Sequence, residues 1–184
     1  GENLTWEITD GVLAIRGEGQ MYDSAPWSLY REMITSVVIE SGATNIGNGA
    51  FEDCTNLVSV TIPESVTYIG ADAFSRCTSL VSVELAVGLV SIDINAFSSC
   101  TALKSIVLPE GMTRINSSTF YNCTSLAGIT IPASVTYIDS YAFENCTALT
   151  SVTYTGGEQM WTLVQIEYGN EYLSSAELIC TGVD

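Results

Sequence analysis

Five cysteines, at positions 54, 77, 100, 123 and 146, stand 23 residues apart, and a sixth, Cys180, lies outside that series. Thiols in a regular row suggest a metal site, a redox pair or a disulfide. Zinc sites pair their ligands at short range, as in C-x2-C, and commonly complete the shell with histidine. Here the spacing is 23, and the 184-residue chain has no histidine at all. Equivalent side chains in stacked repeats also keep parallel Cβ vectors, which suits disulfide geometry poorly. A ladder of buried thiols fits the pattern best, with some disulfide as the alternative and no metal expected. The same absence of histidine removes Ser-His-Asp and Cys-His catalysis.

Carboxylates are the other reactive groups. The chain carries 21 Asp+Glu against 5 Lys+Arg, a formal charge of −16. Glu64, Glu84 and Glu110 come from three successive repeats and are expected close together on one face. Two carboxylates suffice for glycoside hydrolysis, yet a regular solvated sheet offers no pocket to perturb them. No calcium loop with alternating Asp and Asn before a glycine occurs. The expectation is therefore a protein that is not an enzyme, with no cofactor. A basic footprint for phosphates is missing, so nucleic acid is not an expected partner. Membrane insertion is not expected either, because no run of 18 uncharged apolar residues exists, and no signal peptide is visible at the start. Asn3, Asn116, Asn122 and Asn145 match the Asn-x-Ser/Thr pattern, two of them only because the repeat contains Asn-Cys-Thr.

The elements that position these groups follow from the repeat itself. Phenylalanines at 51, 74, 97, 120 and 143 keep the cysteine spacing, three residues ahead of each thiol. The unit AFEDCTNLVSVTIPESVTYIG recurs four more times, the last copy truncated, and a fainter copy precedes it with Ile34, Val37, Ile39 and Ile46 in phase. Leu57, Val60 and Ile62 read as a short strand pointing apolar groups one way, ended by Pro63. Val66 and Ile69 mark a second extended piece. Ala73-Phe74-x-x-Cys77 reads as a compact turn, helical or 3-10, leading back to the next strand. One 23-residue coil cannot bury its own apolar side, but stacked copies can. Six strands, beginning near 34, 57, 80, 103, 126 and 149, would form a parallel sheet roughly 24 Å across. Two coils depart from the unit: Ala86-Val87-Gly88 replaces Pro-x-Ser, and Thr119 replaces the alanine before phenylalanine.

The AFxxCTxL and IPxSVTxI segments resemble the BspA-like, or Treponema-type, leucine-rich repeat family of bacterial surface proteins. The resemblance is close over 34–155 and extends into the flanks. It implies an α/β repeat solenoid: a right-handed leucine-rich-repeat superhelix with a parallel sheet on its concave face, about six 23-residue coils and terminal caps. It also implies an extracellular or cell-surface location and adhesion to host, matrix or bacterial surface proteins. The expected division is 1–33 as an N-terminal hairpin and short-helix cap, 34–155 as the solenoid and 156–184 as a C-terminal cap.

On the open face of such a sheet, one in-phase row reads Ser59, Ser82 and Ser105, and the row beside it reads Thr61, Glu84, Val107, Thr130 and Thr153. With Glu64 and Glu110 at the edge, these are the candidate ligand-contacting residues. They are small and polar, so the partner would supply the anchoring groups, and the negative charge favours a basic one. A spacer module of a larger surface protein and a carbohydrate-binding module are the alternatives. In the flanks, residues 4–17 read as a hairpin turning at Asp10-Gly11, Pro26-Trp27 opens a short helix, Gln159–Ile166 reads as a helix and Leu178-Ile179 as a final strand. Trp6, Trp27 and Trp161 all lie there, expected to plug the open ends of the core, with a sugar-stacking platform as the alternative.

Overall fold

The computed structural model describes residues 3–23 and 25–183; residues 1, 2 and 184 of the expected caps, and residue 24, lie outside it. One repeat explains the coiling. Leu57, Val60 and Ile62 are buried, while Ser59 and Thr61 between them are exposed. That alternation makes a half-buried strand, and the copy 23 residues on has the same alternation. Neither can bury its apolar side except against its neighbours.

A hairpin opens the chain, β1 (Leu4–Thr9) and β2 (Val12–Gly17), reversed at Asp10 and Gly11 in left-handed backbone. Six coils follow, each with a face strand and a shorter strand behind it. They are β3 (Ser36–Ile39) with β4 (Asn45–Ile46), β5 (Ser59–Thr61) with β6 (Tyr68–Ile69), and β7 (Ser82–Glu84) with β8 (Ser91–Ile92). Then come β9 (Ser105–Val107) with β10 (Arg114–Ile115), β11 (Gly128–Ile131) with β12 (Tyr137–Ile138), and β13 (Ser151–Tyr154) with β14 (Gln165–Ile166). A last strand, β15 (Glu177–Cys180), follows the coils.

Face strands pair in parallel with no slip: Ser36 lies opposite Ser59, Ser59 opposite Ser82, Ser105 opposite Gly128 and Gly128 opposite Ser151. The flanks extend this array, β2 beside β3 and β15 beside β13. Its ladder is interrupted once. β7 ends a five-stranded run and β9 begins a four-stranded one, and the rear strands part at the same junction, between β8 and β10. There the Ile92 carbonyl accepts the side-chain amide of Asn116 at 2.6 Å. The equivalent carbonyls of Ile46, Ile69, Ile115 and Ile138 accept backbone N–H groups.

Inside, the five phenylalanines form one stack, with centroids 5.2, 5.2, 5.8 and 5.4 Å apart. The widest step, Phe97 to Phe120, belongs to the interrupted junction. Thr119 is buried beside it, its hydroxyl donating to the Asn116 carbonyl at 2.7 Å.

The turns carrying these rings are not helical, which corrects the sequence reading. Each holds two left-handed residues, such as Asp72 and Arg76, or Asn95 and Ser99, with φ between 56° and 61°. Some N–H groups close local turns, as Cys77 does to the Phe74 carbonyl. Others reach the following coil, as Phe74 does to the Ala96 carbonyl at 2.8 Å. A helix would keep those donors to itself; the reversed residues turn them outward to stitch coil to coil. The expected helix over 159–166 is likewise only one turn, α1 (Glu158–Trp161), before the chain extends into β14. A 3-10 helix spans Ser28–Met33, and α2 (Glu171–Ser175) precedes β15.

Candidate functional site

The in-register sheet puts the sequence-derived candidates on one surface. Ser59, Thr61, Ser82 and Glu84 line a depression of about 290 Å³. Ser82, Glu84, Ser105 and Val107 line the next, of about 390 Å³. Ser105, Val107, Thr130 and Thr153 line a third, of about 190 Å³. The three share walls and run without a gap across β5 to β13. Among the described residues, Thr61, Ser82, Glu84, Ser105, Thr130 and Thr153 form no side-chain hydrogen bond or ion pair with another residue. These groups are therefore free to meet a ligand.

The two corner glutamates are placed differently. Glu64 follows β5 and accepts the Val87 N–H at 3.2 Å, while Glu110 follows β9 and accepts the Thr155 hydroxyl at 3.1 Å. They border the face, Glu64 bracing the adjoining coil and Glu110 reaching the next but one. No set of three or more acidic or thiol groups among the described residues is arranged to hold a metal ion.

The rear sheet shows the contrast. Three of its large outward side chains are already spent: Tyr68 donates to Asp93 at 2.5 Å, Tyr137 to Glu167 at 2.6 Å, and Arg114 to Asp139 at 2.7 Å. The Arg114 guanidinium also lies 4.3 Å over the Tyr137 ring. Burial and the hydrogen bond to Asp93 push Tyr68 up to about 12.

The repeated cysteines carry no reactive chemistry. All five are buried with free thiols. Four donate S–H to the carbonyl of the phenylalanine in the preceding coil: Cys77 to Phe51, Cys100 to Phe74, Cys123 to Phe97 and Cys146 to Phe120, at 3.1 to 3.2 Å. Burial pushes Cys54 and Cys146 up to about 12 and the three between them well above the ordinary thiol value. A raised pKa keeps the proton on sulfur, the opposite of what a nucleophile needs.

The tryptophans divide by role. Trp27 is 3% exposed, stacks on Phe51 at 5.7 Å as a further rung, and donates its indole N–H to the Ala50 carbonyl at 2.8 Å. Trp161 is half-buried, its ring edge against Tyr154 at 5.0 Å. Trp6 leans on Trp27 and is 37% exposed. One end-group escaped the sequence reading. Asn170, buried, accepts the Phe143 N–H at 3.0 Å and donates to the Asp139 and Glu167 carbonyls at 2.9 and 2.8 Å. It stands outside the 23-residue phase, so no periodicity could mark it.

A family profile described as the BspA type leucine-rich repeat region matches residues 28–150 in six copies. Among solved structures, a leucine-rich repeat protein from Eubacterium ventriosum is 30% identical, TM-score 0.75, over 84% of this chain and 42% of its own. A leucine-rich cell surface protein from Faecalibacterium prausnitzii is 34% identical, TM-score 0.68, over 88% of this chain and 40% of its own. The Treponema pallidum leucine-rich repeat protein is 30% identical, TM-score 0.64, over 83% and 69%. This chain thus spans less than half the length of the first two. Comparison with curated proteins found no match.

Proposed function

Since the chain belongs to the BspA-type leucine-rich repeat family, we propose that it is a non-catalytic adhesion module of a bacterial surface or secreted protein. On this reading it binds another protein through the face strands. The observation that carries it is the set of outward side chains Thr61, Ser82, Glu84, Ser105, Thr130 and Thr153, left without partners, beside a rear sheet whose Tyr68, Arg114 and Tyr137 are engaged. Residues 1–33 and 156–184 act as caps for the coils of 34–155. The described residues contain no helix long and apolar enough to cross a membrane. A neighbour described as a leucine rich cell surface protein lends support to the location.

Glu84→Lys combined with Thr130→Lys tests the assignment, against purified matrix, host-surface and bacterial surface proteins at low and high salt. Partners bound by the parent should lose about tenfold or more in affinity, and parent binding should weaken as salt rises. Unchanged binding by the double variant would show that another surface makes the contact.

A further inference from the structure

The interrupted junction between β7 and β9 coincides with the largest of the three depressions on the face, about 390 Å³. Its walls are mainly apolar: Leu85, Val87, Ile106, Val107 and Pro109, with Glu84 the charged group among them. Val87 and Val107 are 78% and 64% exposed. Two features of the repeat produce this opening. Ala86-Val87-Gly88 places a valine where neighbouring coils carry Glu64, Glu110 or Ala133 after proline. Val107 occupies the outward row that is threonine or glutamate in the other coils from β5 to β13.

Charge around the opening is one-sided. Glu84 is on its wall and Glu64 bonds the Val87 N–H, while the Glu110 carboxylate is turned away toward Thr155. Lys104, exposed just before β9, is not among the lining residues. An apolar slot with a carboxylate on its wall is complementary to a large apolar side chain next to a lysine or arginine. We propose that the β7–β9 junction is the anchoring subsite of the face, and that it takes an apolar-basic segment of a partner protein. This rests on the face being the interaction surface. It adds where binding energy concentrates, which the small polar rows alone do not supply.

The test uses the whole chain, isotopically labelled, titrated with N-acetyl-Lys-Trp-Lys-amide and followed by backbone amide NMR. Perturbation should centre on Leu85, Val87, Ile106 and Val107. The Glu-Trp-Glu and Lys-Gly-Lys analogues should bind about tenfold more weakly, as should the Val107→Lys variant, with Val107→Leu retaining the parent affinity. Because Val107 is exposed, both variants should keep the parent fold, checked by their spectra. Shifts centred instead on Ser36 or Thr153 would overturn the subsite and leave the face intact. Shifts confined to the terminal segments, or none, would count against both. Equal binding by the acidic analogue would overturn the charge argument and with it the proposal.

Discussion

A cysteine recurs at the same place in five successive turns, and in four of them it is a hydrogen-bonding device. The phenylalanine carbonyls it serves already accept the backbone N–H of the cysteine three residues on, and the thiol occupies their second lone pair. An S–H group adds that second bond in a small volume with little desolvation penalty. The thiols' titration makes this measurable. Their folded pKa values lie above the ordinary value of 9.0, at about 12 for Cys54 and Cys146. Between those limits the unfolded chain has lost protons that the folded chain retains, so stability falls as pH rises. Urea midpoints under reducing conditions should be level below about pH 9 and then drop, at up to ~1.4 kcal/mol per pH unit for each thiol. A midpoint unchanged from pH 8 to 11 would contradict the burial described for them. The ladder was legible in the sequence because one residue type recurs in phase. Cys180, out of phase and half-buried, gave no such signal.

Elements near the ends obey a different logic from those in the middle. Within the array, each turn's N–H groups find carbonyls in the next coil, as Phe120 finds Ala142. After the last coil, Phe143 has no such neighbour, and Asn170 supplies the oxygen instead. Replacing Asn170 by Ala should therefore cost about 2–4 kcal/mol, because one buried donor and two carbonyls lose a partner together. Chemical denaturation compares it directly with the parent; a loss under about 0.5 kcal/mol, ordinary for a surface site, would remove Asn170 from this role. Reading the sequence located the strands within a few residues and the hairpin as a whole. It misread the Phe-Cys turns as helical, since a three-residue step between Phe74 and Cys77 looks the same in a helix. The distinguishing residues are left-handed, and only some, such as Asn122 and Asn145, are types that favour that backbone. Arg76 and Tyr141 adopt it without advertising it.

For the molecule as a whole, stability is a sum over coils and the contacts between neighbours. The β7–β9 junction lacks the ladder pairing that the other face-strand junctions have, so it is the weakest contact in that sum. Hydrogen exchange in mild denaturant should resolve two cooperative blocks, one on each side of residues 100–104. A single block with uniform protection would show that the stacked rings and the turn hydrogen bonds, such as Phe97 N–H to the Thr119 carbonyl, hold the junction without the ladder. Two substitutions visible in the sequence, Ala86-Val87-Gly88 and Thr119, border this place, but nothing in residue types alone announces a pairing that is not made.

The two ends of the rod also differ in kind. Parallel coils stack with a direction, and each end offers a different edge carrying both N–H and C=O groups, so copies of such a stack are suited to join head to tail. A contact of that type never closes on itself and grows into an open filament. Here Trp27 occupies the Ala50 carbonyl, Asn170 occupies the Phe143 N–H, and β1 runs antiparallel to its neighbour. Together they make the termini mismatched, so the protein carries in its own end-groups the means of staying a unit instead of a fibre.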